Sequence, residues 1–317
     1  MAGYYESILI IVGINILQAL GLFTVKSLGQ ISVGHAGFMA IGAYTTSLLT
    51  VKGGWPLVPA LVLGGVVAGL FGALVGFPAL RLSKLYLATM TLGFLVMTQV
   101  FFMNFTYVGG VGGLSGMNGT RGWLVWTFVA LAVVYFWLLQ RSRLGLAFDS
   151  IRQDEQVARA MGISTTRLKI FAFAKGALLM GLAGGLLAHH LFFIDPHLFG
   201  FKASVVPMIW VIFGGVETFW GPIAGATLLS VLPEVVRPLR GWYMFIYAAA
   251  LILMMIVRPQ GLLTRRMSLP RWLPGRASGT SGRGSFDATE EGRKREDGGQ
   301  EVEEAAASSI RRPPSSL

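Results

Sequence analysis

The sequence predicts an all-α fold: a polytopic transmembrane helical bundle of about eight spans, with one short helix held outside the membrane. Three observations carry this. The 317 residues are 54% hydrophobic and only 13% charged, where a soluble domain carries about 25% charge. Apolar runs close to the length of a bilayer crossing recur from Ile8 to Val257. One polar stretch, Arg141–Lys169, interrupts them with six basic residues and the acids Asp149, Asp154 and Glu155.

Met1–Ser7 has no basic residue and no cleavage pattern, so Ile8–Val25 reads as a retained first span. Asn15 and Gln18 lie within it, which turns that face into the bundle. The second span is Gly29–Thr50, with Ala36, Ala40, Ala43 and Ser47 on one helical face. Leu57–Leu80 repeats the rhythm with Gly65, Gly69, Gly72 and Gly76, and a later span with Ala177, Gly181, Gly184 and Ala188. Such faces form close helix seams in lipid or line a pathway. Leu85–Phe105 is a fourth span. The glycine-rich Val108–Gly119 lacks the Gly-Lys-Ser/Thr ending of a phosphate loop and reads as a flexible, non-cytoplasmic connection.

Gly122–Gln140 is the fifth span and Ile170–His190 the sixth. His189 and His190 point about 100° apart on a helix, so they form no chelating pair and suit an interfacial position. Ala203–Phe219 and Gly221–Val236 are short, broken by TFWGP, and expected to be discontinuous helices. Trp242–Val257 is the last span. We read 1–263 as one membrane domain and 274–317, rich in Gly, Ser, Arg and Glu, as a disordered tail.

A net charge of +11 raises the question of nucleic acid, but the basic residues flank apolar spans, as membrane orientation demands. On this layout thirteen basic residues edge one side and five the other. The insert 141–169 and the C-terminus are therefore expected in the cytoplasm and the N-terminus outside.

Within the insert, Ser150 and Gln153 have the spacing of a capping box, and Gly162 stands where a helix would stop. The expected helix is about Ile151–Met161, with Ile151, Ala158 and Met161 on one face. Asp154 and Glu155 near its start and Arg159 near its end suit the helix dipole. Ser164 is placed to cap the next helix.

The chain holds no nucleophile elbow, Walker sequence, metal-ligand motif, cofactor motif or cysteine, so no catalytic residue is assigned. Of fifteen acids, only Asp195, Glu217 and Glu234 lie near spans outside the insert and the first residues. Ion-driven carriers need buried carboxylates. A transporter this poor in them draws its energy from a partner, and the insert is the place for one to dock.

The chain resembles the M-type permease subunit of LIV-type branched-chain amino-acid ABC importers. The residues that carry the resemblance are GQISVGHAGFMAIGAYTTSLL (29–49), GGLSGMNG (112–119), the long block from Arg141 to Ala188, GGVETFWGPIAGATLLSVLPE (214–234) and RPQGLL (258–263). It implies a multi-pass protein of a bacterial-type inner membrane. The expected partners are a second (H-type) permease, two cytoplasmic ATPases, an extracytoplasmic substrate-binding protein and the lipid bilayer. ATP hydrolysis would belong to the separate subunits.

The resemblance makes Ser150–Gly162 a coupling helix seated on an ATPase, with Ser150, Arg152, Asp154, Glu155, Arg159 and Gly162 as candidate coupling residues. Arg152 and Glu155 are expected to make polar contacts to the ATPase, and Gly162 the turn. Asn15, Gln18, His35 and Tyr44 are candidates for a pathway or gate. For His35 two readings stand: a polar group on the path, or a buried histidine bonded to a backbone carbonyl. Leu146 stands where the family often has a basic residue, and Lys175, one turn inside the sixth span, is expected to snorkel to the membrane edge. The cargo is expected to be an aliphatic amino acid, with urea, short amides or another small solute as alternatives on the same architecture. A self-sufficient secondary carrier is the rival of another class.

Overall fold

The computed structural model describes residues 2–30, 32–80, 84–117, 119–236, 248, 252 and 261–263, all within the first of two units, Met1–Leu269. The span expected at 242–257, apart from residues 248 and 252, and the whole expected tail lie outside the described residues.

Ten α-helices are described: α1 (Ala2–Lys26), α2 (His35–Val51), α3 (Leu57–Ala79), α4 (Lys84–Asn104), α5 (Gly122–Arg141), α6 (Arg143–Gln153), α7 (Glu155–Ala160), α8 (Thr165–Leu191), α9 (Phe201–Gly214) and α10 (Trp220–Val236). Five of them, α1, α3, α4, α5 and α8, have the length and apolar character to cross a membrane alone. Outside the insert, three are shorter: α2 and α10 have 17 residues each and α9 has 14. The second span thus starts later than expected. Gln30, Ser32 and Gly34 are buried but not helical, and α2 begins only at His35.

The longest helix, α8, is the axis of the fold. Its 27 residues reach about 40 Å at 1.5 Å per residue, and it packs most extensively on α3, α2 and α1. The small-residue faces are the reason. A Cβ on Gly42 of α2 would run into the backbone of Gly181, and one on Gly72 of α3 into the Ala177 side chain. The repeating glycines of α3 all meet α8, so these faces are seams where backbones approach closely. In contrast, α3, α4 and α5 turn rows of exposed apolar side chains outward, among them Leu70, Leu74, Met97, Phe101, Leu131 and Leu138. That surface belongs in lipid or against another membrane helix.

At one end of the bundle the glycine-rich connection is packed, which corrects the expectation of a flexible loop. Leu114–Ser115 (β1) pairs antiparallel with Phe193–Ile194 (β2), Leu114 opposite Ile194. Val108, Leu114 and Met117 are buried, and the Ser47 hydroxyl lies 3.0 Å from the Met117 sulfur. His189 is also at this end and is buried. Its Nδ1 lies 2.8 Å from the Gly185 carbonyl and its Nε2 2.9 Å from the Thr50 hydroxyl. His190 pairs separately with Ser7 at 3.1 Å.

The opposite end carries the polar insert. Here α9 stops at Gly214, and the break to α10 spans 215–219. Leu262 and Leu263 return to donate their amides to the carbonyls of Phe213 and Gly214, at 3.0 Å each. These bonds satisfy carbonyls that a helix end otherwise leaves open. Leu262 and Leu263 thus lie at the insert end, while Ser7 of α1 sits at the other.

Candidate functional site

The insert folds as two helices rather than one. Ser142 starts α6, accepting from the Gly145 amide at 3.3 Å. At Asp154 the backbone turns extended (φ −152°, ψ 115°), ending α6 and capping α7. Its carboxylate accepts from the amides of Gln156 (2.8 Å) and Val157 (3.1 Å). A short acidic side chain that bonds its own downstream amides competes with helix continuation. The expected continuous helix Ile151–Met161 is broken for that reason. Ser150, expected as its cap, sits inside α6 and donates to the Leu146 carbonyl at 2.9 Å.

Gly162 ends α7 as its sequence position foretells. It has φ +84°. The Gly162 amide bonds to the Arg159 carbonyl and the Ile163 amide to that of Ala158, the paired bonds of a Schellman stop.

Beneath the two helices lies a small apolar core of Phe148, Ile151 and Ala158 against Leu28 and Ala172. Met161 does not join it. It is 78% exposed and, with Val157 one turn before it, forms an outward apolar pair. This corrects the expectation that Ile151, Ala158 and Met161 share one face.

Two polar joints fix the insert to the bundle. Lys169 of α8 donates to Glu155 at 2.6 Å, and its side chain is only 6% exposed against 34% for Glu155. Arg159, largely exposed, also donates to Glu155 at 3.1 Å. Burial works to raise the Glu155 carboxyl pKa, but the bonds and charges of Lys169 and Arg159 outweigh it and hold it below the usual value. The second joint is Arg152, which donates to the Val216 carbonyl in the α9–α10 break at 3.2 Å and lies 3.5 Å from Asp149. A cleft of about 230 Å³ opens beside it, between Ser27, Gln140, Arg141, Phe148 and Thr218.

One turn beyond Lys169 on α8, Phe173 reaches the bundle interior, with its ring 5.8 Å from that of His35. His35 is 1% exposed, and neither of its ring nitrogens has a hydrogen-bond partner. The backbone-bonded histidine anticipated as one reading is therefore not what forms. Ser32 and Tyr44 likewise bury hydroxyls without partners. Tyr44 stacks on Phe102 at 4.1 Å, well away from the aromatic set of His35, Phe38, Phe94 and Phe173. Around the start of α2, the Val33 amide donates to Thr91 and the Ala36 amide to Ser204. Asn15 donates to Ser230 of α10 at 2.8 Å, and Gln18 is buried on the same helix.

Residues 4–257 match the family model described as "Branched-chain amino acid transport system / permease component". The chain belongs to this family. It is 35% identical to the high-affinity branched-chain amino acid transport system permease protein LivM of Salmonella typhimurium, over 84% of this chain and 71% of that one. With LivM of Escherichia coli K12 the identity is 34%, over 79% and 68%. The LivH permease of the same E. coli strain is 26% identical over 75% of this chain and 87% of its own. A shorter match, 29% identical over 42% of this chain and 40% of the other, is to the autoinducer 2 import system permease LsrC of Yersinia pestis Pestoides F. No solved structure matches.

Within this permease the structure gathers the candidate coupling residues on α6–α7 and spreads the pathway candidates. His35 lies in the α2–α8 seam, Tyr44 two turns further along α2, and Asn15 between α1 and α10. Sequence reading missed Ser142 and Lys169. A serine before Arg143 is a cap signal that was legible. The burial of Lys169 was not, since nothing local marks a lysine at a helix start as the partner of an acid fourteen residues earlier.

Proposed function

We propose that the chain is one of two membrane-spanning subunits of an ATP-binding-cassette importer that carries branched-chain aliphatic amino acids into the cytoplasm. Its partners are a second, H-type permease, two cytoplasmic ATPases and an extracytoplasmic binding protein. The insert and the C-terminal side face the cytoplasm and the N-terminus faces out, in keeping with the basic bias of the insert end.

The observation that carries this is the insert joined to α8 by Lys169–Glu155 in a chain of the permease family. The exposed face of α7, with Val157, Arg159 and Met161, is the surface an ATPase engages. Glu155 and Arg152 are turned inward and transmit the movement to α8 and to the α9–α10 break. Asp154 and Gly162 set where α7 starts and stops. From α8 the movement reaches α2 through Phe173 and His35, and the two permeases change between outward- and inward-facing states.

Co-purification from native membranes tests the assembly: two ATPases and a leucine-type binding protein should accompany the chain. Uptake by the chain alone, driven by an ion gradient, would overturn the reading and favour a secondary carrier. The likeness to an autoinducer 2 permease supports a second cargo reading, a small polar solute on the same architecture. The ligand of the accompanying binding protein decides between them.

A further inference from the structure

An ionised side chain in a membrane span calls for a partner, and Lys175 of α8 forms no ion pair or hydrogen bond among the described residues. Among the described residues, the aromatic faces of Tyr135 and Phe171 lie near its ammonium, at 5.4 Å and 5.5 Å. Phe171 lies one turn closer to the insert, so the lysine stem runs along α8 toward the insert-side membrane edge, as side chains on a helix lean toward its start.

Lys175 also lines the head of a groove of about 220 Å³ between α5 and α8. Because α5 leads into the insert and α8 leads out of it, the groove has a definite polarity. Lys175 and Tyr135 stand at the insert end. Leu178, Leu179 and Ala132 follow, and Leu182 with Phe128 closes the deep end. From Lys175 to Leu182 is seven residues, about 10 Å along the axis. The outer wall includes the exposed Leu131.

We propose that this groove binds one anionic phospholipid of the insert-side leaflet, with its phosphate on Lys175 and an acyl chain laid along the leucines. Charge complementarity names the head: an ammonium without a carboxylate, set at the membrane edge, meets a phosphate there. Length names the tail. A 10 Å apolar trough continues inward from the charge and is longer than the side chain of an aliphatic amino acid. The lipid would seat α5 against α8, the two helices that hold the insert, and so brace the coupling segment from the membrane side. This goes beyond the transport assignment and does not depend on which solute is carried.

The test uses the full chain purified in mild detergent, loaded with phosphatidylglycerol and, separately, with zwitterionic phosphatidylcholine, and read by native mass spectrometry. Wild type should retain one phosphatidylglycerol and no phosphatidylcholine. Lys175→Met, which keeps the stem, should lower retention at least fivefold; Lys175→Arg should retain it; and Leu131→Trp, which fills the groove but keeps the charge, should lose it. Equal retention of both lipids, or unchanged retention in Lys175→Met and Leu131→Trp with wild-type melting temperatures, would overturn the proposal. So would a photo-crosslinker at position 131 that captures a protein of the assembled complex instead of lipid. Failure of the transport assignment would show in uptake and leave these lipid readings unchanged.

Discussion

Lys169 and Glu155 lie fourteen residues apart and meet at 2.6 Å, with the lysine side chain almost wholly buried and the glutamate one-third exposed. The short α7 is thereby fastened to the longest helix of the bundle. A buried ammonium without its carboxylate is costly, so the pair is more expensive to break on one side than to replace on both.

That asymmetry is measurable. Glu155→Gln and Lys169→Met should each lower uptake at least tenfold while the ATPases remain bound. The double variant should recover part of the loss, because it removes the stranded charge as well as the bond. Strictly additive effects in a transport assay would show that the two residues act separately. Val157→Asp with Met161→Asp should do the opposite: release the ATPases in a pull-down and leave the melting temperature unchanged.

The joint also has a pH signature. The Glu155 carboxyl is held below its ordinary value of 4.5, so its contribution is fully present above that value. It is lost as the pH falls through the lowered folded value. The gap in melting temperature between wild type and Glu155→Gln should be constant from pH 8 to about pH 5. It should narrow in more acid buffer; a constant gap down to pH 3 would contradict the assignment.

Asp154 holds α7 by its cap. Asp154→Ala should destabilise that turn by about 1 kcal/mol, seen as faster amide exchange at Gln156 and Val157, with α6 unaffected. Asp154→Asn should restore most of the protection.

His35 separates structure from transport. A buried polar group without a partner costs about 1–3 kcal/mol, so His35→Phe should hold or raise the melting temperature. If the imidazole serves the pathway, uptake should fall at least tenfold in the same variant. Normal uptake in His35→Phe and His35→Ala would end the pathway role.

The seam between α2 and α8 admits no side chain at its crossing. Gly42→Val, whose side chain would run into the Gly181 backbone, forces the helices apart, and overpacking of this kind costs about 1–3 kcal/mol. The variant should melt lower and lose uptake, whereas Gly93→Ala, with open space around it, should behave as wild type.

Much of this was legible in the sequence. Charge scarcity and apolar length give the membrane bundle, because an apolar helix is the form in which a chain can bury its backbone polar groups in lipid. The steps of three and four among Gly65, Gly69, Gly72 and Gly76 mark a close seam, because helical period alone puts them on one face. Gly162 declared itself, since a positive φ at a helix end favours glycine. These are local signals, each set by residues within a turn or two.

The tertiary structure decided the rest. It chose α8 as the partner of the glycine faces, split the insert at Asp154, and left His35 buried with no partner. It brought Lys169 to Glu155 and exposed Met161 rather than burying it. Each of these depends on which helices meet and at what depth. Desolvation, pairing and burial are properties of neighbours distant in sequence, so a polar insert could be recognised from its own residues while the joint that ties it to the bundle could not.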